Sequence, residues 1–379
     1  MKILIVMGGF FPGQKYGGPP VSVNNFCTLF WEDECYIVTK NHDKGESKPY
    51  KGIDSGVWIK RNNCYVKYVN DENYKKSEFE KVILEIKPDV LYLQGLFQSC
   101  VLPCLELAKK YSLKVMLAPR GELCTGALKK KYKKIPYIAY LTMKKLVRDI
   151  SYQSTSEEES AAIRKYLKVD SKKIHFLTNI PSIPEKQYIH KLKKSGEGKF
   201  IFLSRIHPKK NLIAAIDYMK GLQGNVVFDI YGPIEDEEYW KMCKQKMSEL
   251  PNNVLVNYCG LVCHEKVHEI FSQYDVFLFP TFSENYGHVI AEALTVGTPV
   301  VLGKGTTPWD DINGKAGFIA ELNDKIAFIE FLNSIIRMNE DDYKKITDSV
   351  LEYIEKKLKI IELKSKYISV LNDLMNDGE

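Results

Sequence analysis

Short apolar runs recur along the whole chain and alternate with longer stretches in which apolar residues follow helical spacing. Ten such runs cover residues 3–7, 35–38, 90–93, 115–117, 150–153, 200–203, 226–230, 254–256, 276–279 and 300–302. Strands that are apolar on both faces are typical of parallel sheets covered by helices. The alternation predicts an α/β protein, and the two series of runs predict two Rossmann-like domains with parallel sheets.

A polar, basic and glycine-bearing segment separates the two series. This segment covers residues 184–198, and its composition is that of a domain linker. We therefore expect an N-terminal domain over 1–183 and a C-terminal domain over 199–355. The last residues, 356–379, are predicted to form a helix that packs back on the N-terminal domain. A length of 379 residues suits two domains that each bury a core.

Composition excludes several classes of protein. Apolar residues make up 45% and charged residues 27%, as in ordinary globular proteins, and no apolar run approaches the roughly 20 residues of a membrane span. The N-terminal residues show no signal-peptide pattern, and free cysteines fit the cytosol, so we expect a cytoplasmic protein. Nine scattered cysteines show no disulfide-framework spacing, and Cys259, Cys263 and His264 lack a second ligand pair nearby, so no metal site is expected.

The first strand is followed by a long glycine-rich segment, residues 8–20. Its spacing differs from the dinucleotide fingerprint, which needs a tight turn directly into a helix, and this disfavours a nicotinamide enzyme. Gly17 and Gly18 precede two prolines and a helix expected from about Val21. They predict a flexible loop whose amides reach a ligand, with a plain surface loop as the alternative.

Two charged residues follow the apolar run at 115–117. Arg120 and Glu122 lie at the predicted carboxyl end of a strand, where open α/β sheets bind their ligands. Either they contact an acceptor substrate, or they pair with each other. The sequence leaves both interpretations open.

Residues 129–148 carry the most uneven charge in the chain. Eight basic residues have no acidic residue among them: Lys129, Lys130, Lys131, Lys133, Lys134, Lys144, Lys145 and Arg148. Aromatic and aliphatic residues interleave with them, which favours an anionic membrane surface over nucleic acid, because nothing else here resembles a nucleic-acid module. A solvated basic face is the alternative.

A second group of basic residues follows the run at 200–203. Arg205 ends that strand, and Lys209 and Lys210 precede a helix predicted over 212–219. Cations at the carboxyl end of a strand can neutralise a diphosphate without a metal ion. Taken singly, each would be an ordinary surface charge.

The segment 279–299 combines two carboxylates with a helix start. Glu284 lies in the loop before an Ala/Leu-rich helix, and Glu292 lies within it among small and apolar neighbours, so we expect Glu292 to be poorly hydrated and to need hydroxyl partners. The backbone amides of Asn285, Tyr286, Gly287 and His288 form a helix N-terminus, which attracts phosphate. The alternative is a surface helix with two solvated glutamates.

Taken in order, these motifs resemble the retaining GT-B glycosyltransferases of family 4. The resemblance rests on segments 17–19, 119–123, 126–128, 154–159, 204–211, 231–233 and 260–262, and on the Glu-x7-Glu spacing of Glu284 and Glu292. It implies a GT-B fold, with two Rossmann-like domains facing a central cleft. It also implies a hexosyltransferase that moves a sugar from a nucleoside diphosphate to an acceptor hydroxyl.

The resemblance further implies roles for individual residues. Arg205 and Lys210 would bind the donor diphosphate, Glu292 the ribose hydroxyls, and Glu284 would lie near the donor sugar. The amides of residues 285–288 would hold phosphate and sugar, Gly17 and Gly18 would approach the diphosphate, and Gly260, Leu261 and Val262 would contact the base. Many relatives have a histidine where this chain has Arg120, which leaves open what contacts the hexose and the acceptor.

These implications lead to one principal hypothesis and two alternatives. The reaction would need no metal ion and no cofactor beyond the sugar nucleotide, with uridine the usual base of the family. A glycan or lipid-linked acceptor would connect it to surface polysaccharide synthesis, and the protein would lie peripherally on the inner face of the membrane. The alternatives are a non-hydrolysing sugar-nucleotide epimerase and a non-catalytic sugar-nucleotide-binding scaffold subunit.

Overall fold

The computed structural model describes residues 1–124, 131–184, 186, 188 and 192–376, without the side chains of residues 131–133. Its contacts divide the chain into two units. The first contains Met1–Ile180 and Ile360–Glu379, and the second contains Pro181–Lys359. The divisions thus fall at Ile180 and Lys359, whereas the sequence suggested 183 and 355. Part of the predicted linker, residues 185, 187 and 189–191, lies outside the described residues.

The first unit is built on an eight-stranded sheet. Its strands are β1 (Lys2–Val6), β2 (Glu34–Lys40), β3 (Trp58–Arg61), β4 (Cys64–Val69), β5 (Val90–Gln94), β6 (Lys114–Ala118), β7 (Ser151–Ser154) and β8 (Ile174–Phe176). Their order is β3-β4-β2-β1-β5-β6-β7-β8. All neighbouring strands are parallel except β3, which forms an antiparallel edge with β4.

Helices cover both faces of this sheet. They are α1 (Gly18–Leu29), α2 (Lys76–Ile86), α3 (Val101–Tyr111), α4 (Lys131–Met143), α5 (Glu157–Leu167) and the C-terminal α12 (Ile360–Asn376). Helix α12 joins the core between α1 and the sheet, where the ring of Tyr367 packs on Phe26 and Phe30. The last segment of the chain therefore belongs structurally to the first unit.

The second unit has a six-stranded, fully parallel sheet. Its strands are β9 (Glu197–Leu203), β10 (Asn225–Tyr231), β11 (Val254–Gly260), β12 (Val276–Phe279), β13 (Val300–Gly303) and β14 (Gly317–Ala320). They run in the order β11-β10-β9-β12-β13-β14. Because all carboxyl ends lie at one edge, the turns after β9, β10, β11 and β12 share that edge.

The helices of the second unit enclose one hydrophobic core. They are α6 (Leu212–Met219), α7 (Glu237–Met247), α8 (Val267–Phe271), α9 (His288–Leu294), α10 (Lys325–Arg337) and α11 (Glu340–Leu358). Strand β12 is fully buried in that core, as are residues 200–202 of the neighbouring β9. The prediction of an α/β protein with two Rossmann-like units of parallel sheet is confirmed.

The sequence has the spacing of a capping box at Ser77 with Glu80 and at Ser156 with Glu159, which predicts a helix that starts after each serine. The Ser156 side chain accepts a hydrogen bond from the Glu159 amide, so the predicted cap of α5 is confirmed. The predicted cap at Ser77 is wrong, because α2 already begins at Lys76 and Glu80 is bound to Lys110 instead. Helix α1 begins at Gly18, three residues before the predicted start.

Among the described residues, no helix has both the length and the apolar character that crossing a membrane requires.

Candidate functional site

Lys210 lies at the carboxyl edge of the second sheet, after β9. A short helical turn over Pro208–Lys210, capped by the His207 ring, brings its side chain inward, and only 6% of the residue is exposed. There the ammonium forms an ion pair with Glu284, which follows β12. The two candidate residues, 74 positions apart in the chain, are thus in direct contact.

The environment of Lys210 weakens its hold on a proton. Burial, together with the positive charges of Arg205 and Lys209, lowers the pKa of the Lys210 ammonium to about 7, and Glu235 opposes that change. The adjacent Glu284 carboxylate also favours the charged form. The charge of Lys210 at neutral pH therefore depends on the anions close to it.

Arg205 has its own carboxylate partner. Its Nη1 donates to both oxygens of Glu235, at 2.8 and 2.7 Å. Glu235 follows β10, the neighbour of β9, so the pair joins two adjacent turns of the same edge. Both side chains are about one-third exposed, so the pair is accessible to a competing anion.

Glu292 is the most unusual group at this edge. It lies in α9, is 4% exposed, and its Oε1 has no hydrogen-bond partner within the part of the chain that the structure describes. Nδ1 of His264 lies 3.7 Å from that oxygen, beyond hydrogen-bond distance. Burial raises the pKa of the Glu292 carboxyl, and His264 opposes this.

The two other carboxylates that are buried within the described residues accept hydrogen bonds at both of their oxygens. Asp229 accepts hydrogen bonds from Asn257 at 2.8 Å and from Tyr274 at 2.6 Å. In the first unit, Glu159 accepts from the amides of Gly121 and Thr155, at 2.5 and 2.8 Å. Because buried polar groups normally have partners, the unfilled oxygen of Glu292 indicates a position for a ligand donor.

The loop between Glu284 and α9 is held from outside the helix. The Trp309 indole donates to the carbonyl of Tyr286 at 2.5 Å, and the Glu284 amide donates to Thr306 at 2.8 Å. Gly287, at a φ of 75°, begins α9, and a Cβ there would meet the Ile290 side chain at 2.8 Å. The helix is seven residues long.

The predicted amide cluster is only partly open. The amides of Tyr286 and Gly287 donate no hydrogen bond to any residue in the described ranges. Asn285 is exposed, whereas His288 is buried and its ring packs on that of Tyr286, with centroids 4.9 Å apart. Two backbone donors thus remain for a ligand next to Glu284.

The turn after β11 contains the residues expected at the base. The Gly260 carbonyl accepts a hydrogen bond from the Gly232 amide at 2.8 Å, Leu261 is 54% exposed and Val262 is partly buried. Gly232 also lies directly against Ser204, where a Cβ would overlap the Ser204 carbonyl oxygen. Leu261 therefore presents an apolar surface at the same sheet edge as Arg205.

In the first unit, Gly17 and Gly18 form the start of α1. Gly17 is the N-cap residue, and a Cβ placed on it would meet no atom within 4 Å. Gly17 is thus uncrowded, as a ligand-binding loop requires. No described contact assigns either glycine a ligand.

Arg120 and Glu122 do not pair with each other, so that interpretation is wrong. Glu122 accepts hydrogen bonds from the amides of Leu96 and Phe97, at 2.6 and 3.0 Å, and so holds the turn after β5. Arg120 instead binds the oxygen of Gln94 through Nε at 2.8 Å and Nη2 at 2.6 Å. Glu122 therefore has a structural role, because it binds the backbone of the turn after β5.

The basic stretch is described only in part. Lys129, Lys130 and the segment 126–128 lie outside the described residues, as do the side chains of Lys131 and Lys133. Helix α4 and the turn after it expose both apolar and basic side chains. These are Ile135, Tyr140, Met143, Lys144, Lys145 and Arg148.

Sequence reasoning missed three groups that shape the site. Glu235 follows the quoted segment 231–233, but nothing in the local pattern connects it to Arg205, 30 residues earlier. The sequence indicates His264 only as a possible metal ligand, and Trp309 belongs to no recognisable motif. Within the described residues, no group of three or more His, Cys, Asp or Glu side chains is arranged to bind a metal ion.

Comparison with known proteins identifies relatives of this chain. Residues 185–349 match the family model described as glycosyl transferases group 1. O-antigen chain mannosyltransferase B of Escherichia coli is 23% identical over 164 residues, which are 42% of this chain and 41% of that protein. The chain thus spans less than half the length of that enzyme.

Longer matches are also found. An uncharacterized 42.6 kDa protein in the cps region of Klebsiella pneumoniae is 24% identical over 378 residues, covering 88% of this chain and 91% of that protein. The crystal structure of Anabaena HepE in complex with UDP and glucose superposes with a TM-score of 0.74 at 13% identity, covering 98% of this chain and 100% of that chain. The second unit is therefore similar to the group 1 glycosyl transferases, and the chain has the GT-B fold.

Proposed function

We propose that the protein is a retaining, metal-independent hexosyltransferase. It would take a sugar from a nucleoside-diphosphate sugar, with uridine as the base, and transfer it to a hydroxyl of a glycan or lipid-linked acceptor. The HepE structure in complex with UDP and glucose supports a uridine nucleotide as the donor. The O-antigen mannosyltransferase and the cps-region protein support a role in surface polysaccharide synthesis.

The observation that carries this proposal is the unfilled oxygen of Glu292 close to His264. A buried carboxylate that has no donor of its own suits a ligand that brings hydroxyl donors, as a ribose does. Arg205 and Lys210 lie at the same sheet edge and supply the positive charge that a diphosphate needs. One nucleotide would satisfy both requirements.

Binding would exchange the partners of the two cations. In the structure, Arg205 is paired with Glu235 and Lys210 with Glu284. A diphosphate carries more negative charge than one carboxylate, so it would compete for both cations. Glu284 would then be released from Lys210 beside the donor sugar, with the amides of Tyr286 and Gly287 available to the phosphate.

In the reaction, the bond between the anomeric carbon and the leaving phosphate oxygen breaks. A bond to the acceptor oxygen forms on the same face, and the acceptor proton passes to the departing diphosphate. Arg205 and Lys210 would stabilise the charge that grows on the leaving group, because they are positioned before the reaction begins. No protein nucleophile is needed in this scheme.

A thermal-shift screen with UDP, GDP, ADP and their sugars tests the proposal first. A ligand that binds only the folded state raises its melting temperature, so UDP or a UDP-sugar should give the largest shift. Transfer by the responding donor should continue in the presence of a chelator. If none of these nucleotides raised the melting temperature, the proposal would be contradicted.

The two alternatives have distinct outcomes in the same assays. An epimerase would convert the donor alone into its epimer, whereas a transferase would leave it unchanged or hydrolyse it slowly. A scaffold subunit would bind the nucleotide but give no product with any extract-derived acceptor. Product formation that requires an acceptor, with retained anomeric configuration, supports the proposed reaction.

The exposed side of α4 supports peripheral binding to an anionic membrane. Met143 is 75% and Ile135 40% exposed, and Lys144, Lys145 and Arg148 follow directly. Apolar side chains can enter the interface while basic ones meet acidic headgroups, each basic residue contributing about 1 kcal/mol. The face therefore has the composition of a surface-bound helix.

Vesicle flotation tests this membrane contact. The protein should float with vesicles that contain anionic lipid and less with neutral ones, and added salt should weaken the binding. The variant I135S/M143S should float less, whereas I326S, on the exposed side of α10 in the second unit, should behave like the wild type. Equal flotation of both variants would contradict the assignment to α4.

A further inference from the structure

We propose that Arg120 forms a subsite for an anionic group, a carboxylate or a phosphate, on the glycan-building substrate of this protein. The proposal rests on the proposed glycosyltransferase function and names the chemical class that its first unit recognises. All residues involved lie in that unit: Gln94 ends β5, Arg120 follows β6 and Asn179 follows β8.

The guanidinium of Arg120 is held in a fixed position. It forms two hydrogen bonds to the Gln94 oxygen, one to Asn179 Oδ1 and a long one of 3.4 Å to the Tyr92 hydroxyl. Four of its five N–H groups are thus used, which leaves the second N–H of Nη1 without an acceptor among the described residues. Arg120 itself is partly exposed.

The hydrogen-bond partners of the Arg120 guanidinium are neutral. Each acceptor on its guanidinium is an amide or phenol oxygen, and no described carboxylate lies within ion-pair distance. Glu122, the closest acid in sequence, is occupied by the amides of Leu96 and Phe97. Because neutral acceptors orient a cation without cancelling its charge, Arg120 keeps its full charge for an outside anion.

The supporting network is rigid and deep. Gln94 is 2% exposed, and its Nε2 has no hydrogen-bond partner among the described residues. Behind it, Tyr92 donates to Gln153, whose amide donates to the Tyr367 hydroxyl of α12 at 2.7 Å. The φ of Arg120 is 57°, an uncommon backbone state for a residue other than glycine.

These features together favour a ligand that carries a negative charge. A preformed arginine with a spare donor gains most from a carboxylate or phosphate, which forms a charge-assisted hydrogen bond. Two sources have this chemistry: an acidic sugar, and a phosphate group on a lipid-linked acceptor. A neutral hexose would give Arg120 no counter-charge.

Binding to simple probes tests the subsite in the full-length protein. Methyl glucuronide, methyl glucoside and inorganic phosphate are titrated at low ionic strength with saturating UDP present, so that phosphate sites of the second unit are occupied. Wild type should bind one or both anionic probes at least about tenfold more tightly than methyl glucoside. The probe that shows the larger preference identifies the source of the anion.

Variants assign that preference to Arg120. In R120M the preference should disappear, and in R120K a part of it should remain, because the charge is kept without the fork geometry. R164M removes one exposed arginine of α5 in the same unit and should keep the full preference. If R120M does not fold, the wild type and R120K still decide the question.

The results separate this inference from the proposed function. Equal binding of charged and neutral probes by wild type, or a preference that R120M retains, would overturn the subsite even if UDP binds normally. A preference lost in R120M would support it. Absence of any nucleotide binding would instead count against the proposed transferase.

Discussion

The carboxyl edges of the two sheets distribute their charges differently. In the second unit, Arg205 and Lys210 each have a carboxylate partner, and Glu292 is the group left unfilled. In the first unit, Arg120 has only neutral partners, and the nearby Glu122 accepts hydrogen bonds from the backbone amides of Leu96 and Phe97. One edge thus leaves an acid without donors, and the other leaves a cation without an acid.

The difference teaches which ligand each edge selects. Cations that already have counter-ions release them only to a ligand of higher negative charge, so the second edge suits a diphosphate that also brings hydroxyl donors to Glu292. A cation held by neutral oxygens meets no such competition and accepts a single negative charge. The experiments below test this contrast in order of expected effect.

The largest effect is expected for K210M. Loss of a buried, charge-assisted contact should weaken binding of a nucleoside diphosphate by about 100-fold, because no other described cation lies as deep at this edge. Isothermal titration calorimetry measures the change. The matched control is K209M, whose exposed side chain should change affinity less than about threefold.

The melting temperature of K210M shows whether the loss of affinity comes from the missing ammonium group or from the unpaired Glu284. K210M leaves Glu284 without its partner, so its melting temperature should fall, and adding E284Q should restore most of the loss. Affinity should stay low in the double variant. Recovery of binding together with stability would mean that Lys210 serves only to neutralise Glu284.

The second largest effect is expected for E292Q. An amide is a weaker acceptor than a carboxylate, so nucleotide affinity should fall about tenfold. Since the carboxylate is buried with an unfilled oxygen, the melting temperature of the nucleotide-free protein should stay the same or rise. D229N is the control: its two oxygens are filled, so stability should fall while affinity is kept.

A smaller effect is expected from pH. A bound diphosphate favours the charged form of Lys210 and raises its pKa from the value of about 7 in the free protein. Affinity should therefore be highest below about pH 7 and fall as pH rises towards the pKa in the complex. A UDP-sugar is the suitable probe, since its diphosphate ester does not titrate in this range.

Replacing Lys210 by arginine checks the origin of that pH dependence. Arginine stays protonated throughout, so K210R should show a flat profile between about pH 6 and about pH 8.5. A wild-type profile that is equally flat would mean that Glu284 keeps Lys210 charged at every pH tested.

The sequence predicted the elements whose pattern is local. Strand β12 and residues 200–203 of β9 are apolar throughout, and the cap of α5 is a short-range motif, so all three were predicted. The hairpin of β3 and β4 was missed, because Lys60 and Lys67 interrupt its short apolar runs. The Ser77 cap failed because a distant Lys110 binds Glu80.

Site residues were identified by type, but their partners were not. Glu292 was expected to be buried because its neighbours in the sequence are small and apolar, and it is. Nothing in the sequence predicts that Lys210 contacts Glu284 or that Arg205 contacts Glu235, since these pairs form between turns that follow different strands. Such contacts follow from strand order, which periodicity does not specify.

The smallest expected effect comes from E235Q and tests competition directly. If Glu235 competes with the diphosphate for Arg205, removing its charge should raise nucleotide affinity by about threefold without changing the melting temperature, since a pair this exposed adds little stability. E249Q, which alters an exposed glutamate paired with Lys220 in the same unit, should leave affinity unchanged. A fall in affinity in E235Q would show instead that Glu235 positions Arg205 for the ligand, and the second edge would then resemble the first, where neighbouring oxygens orient an arginine rather than oppose its ligand.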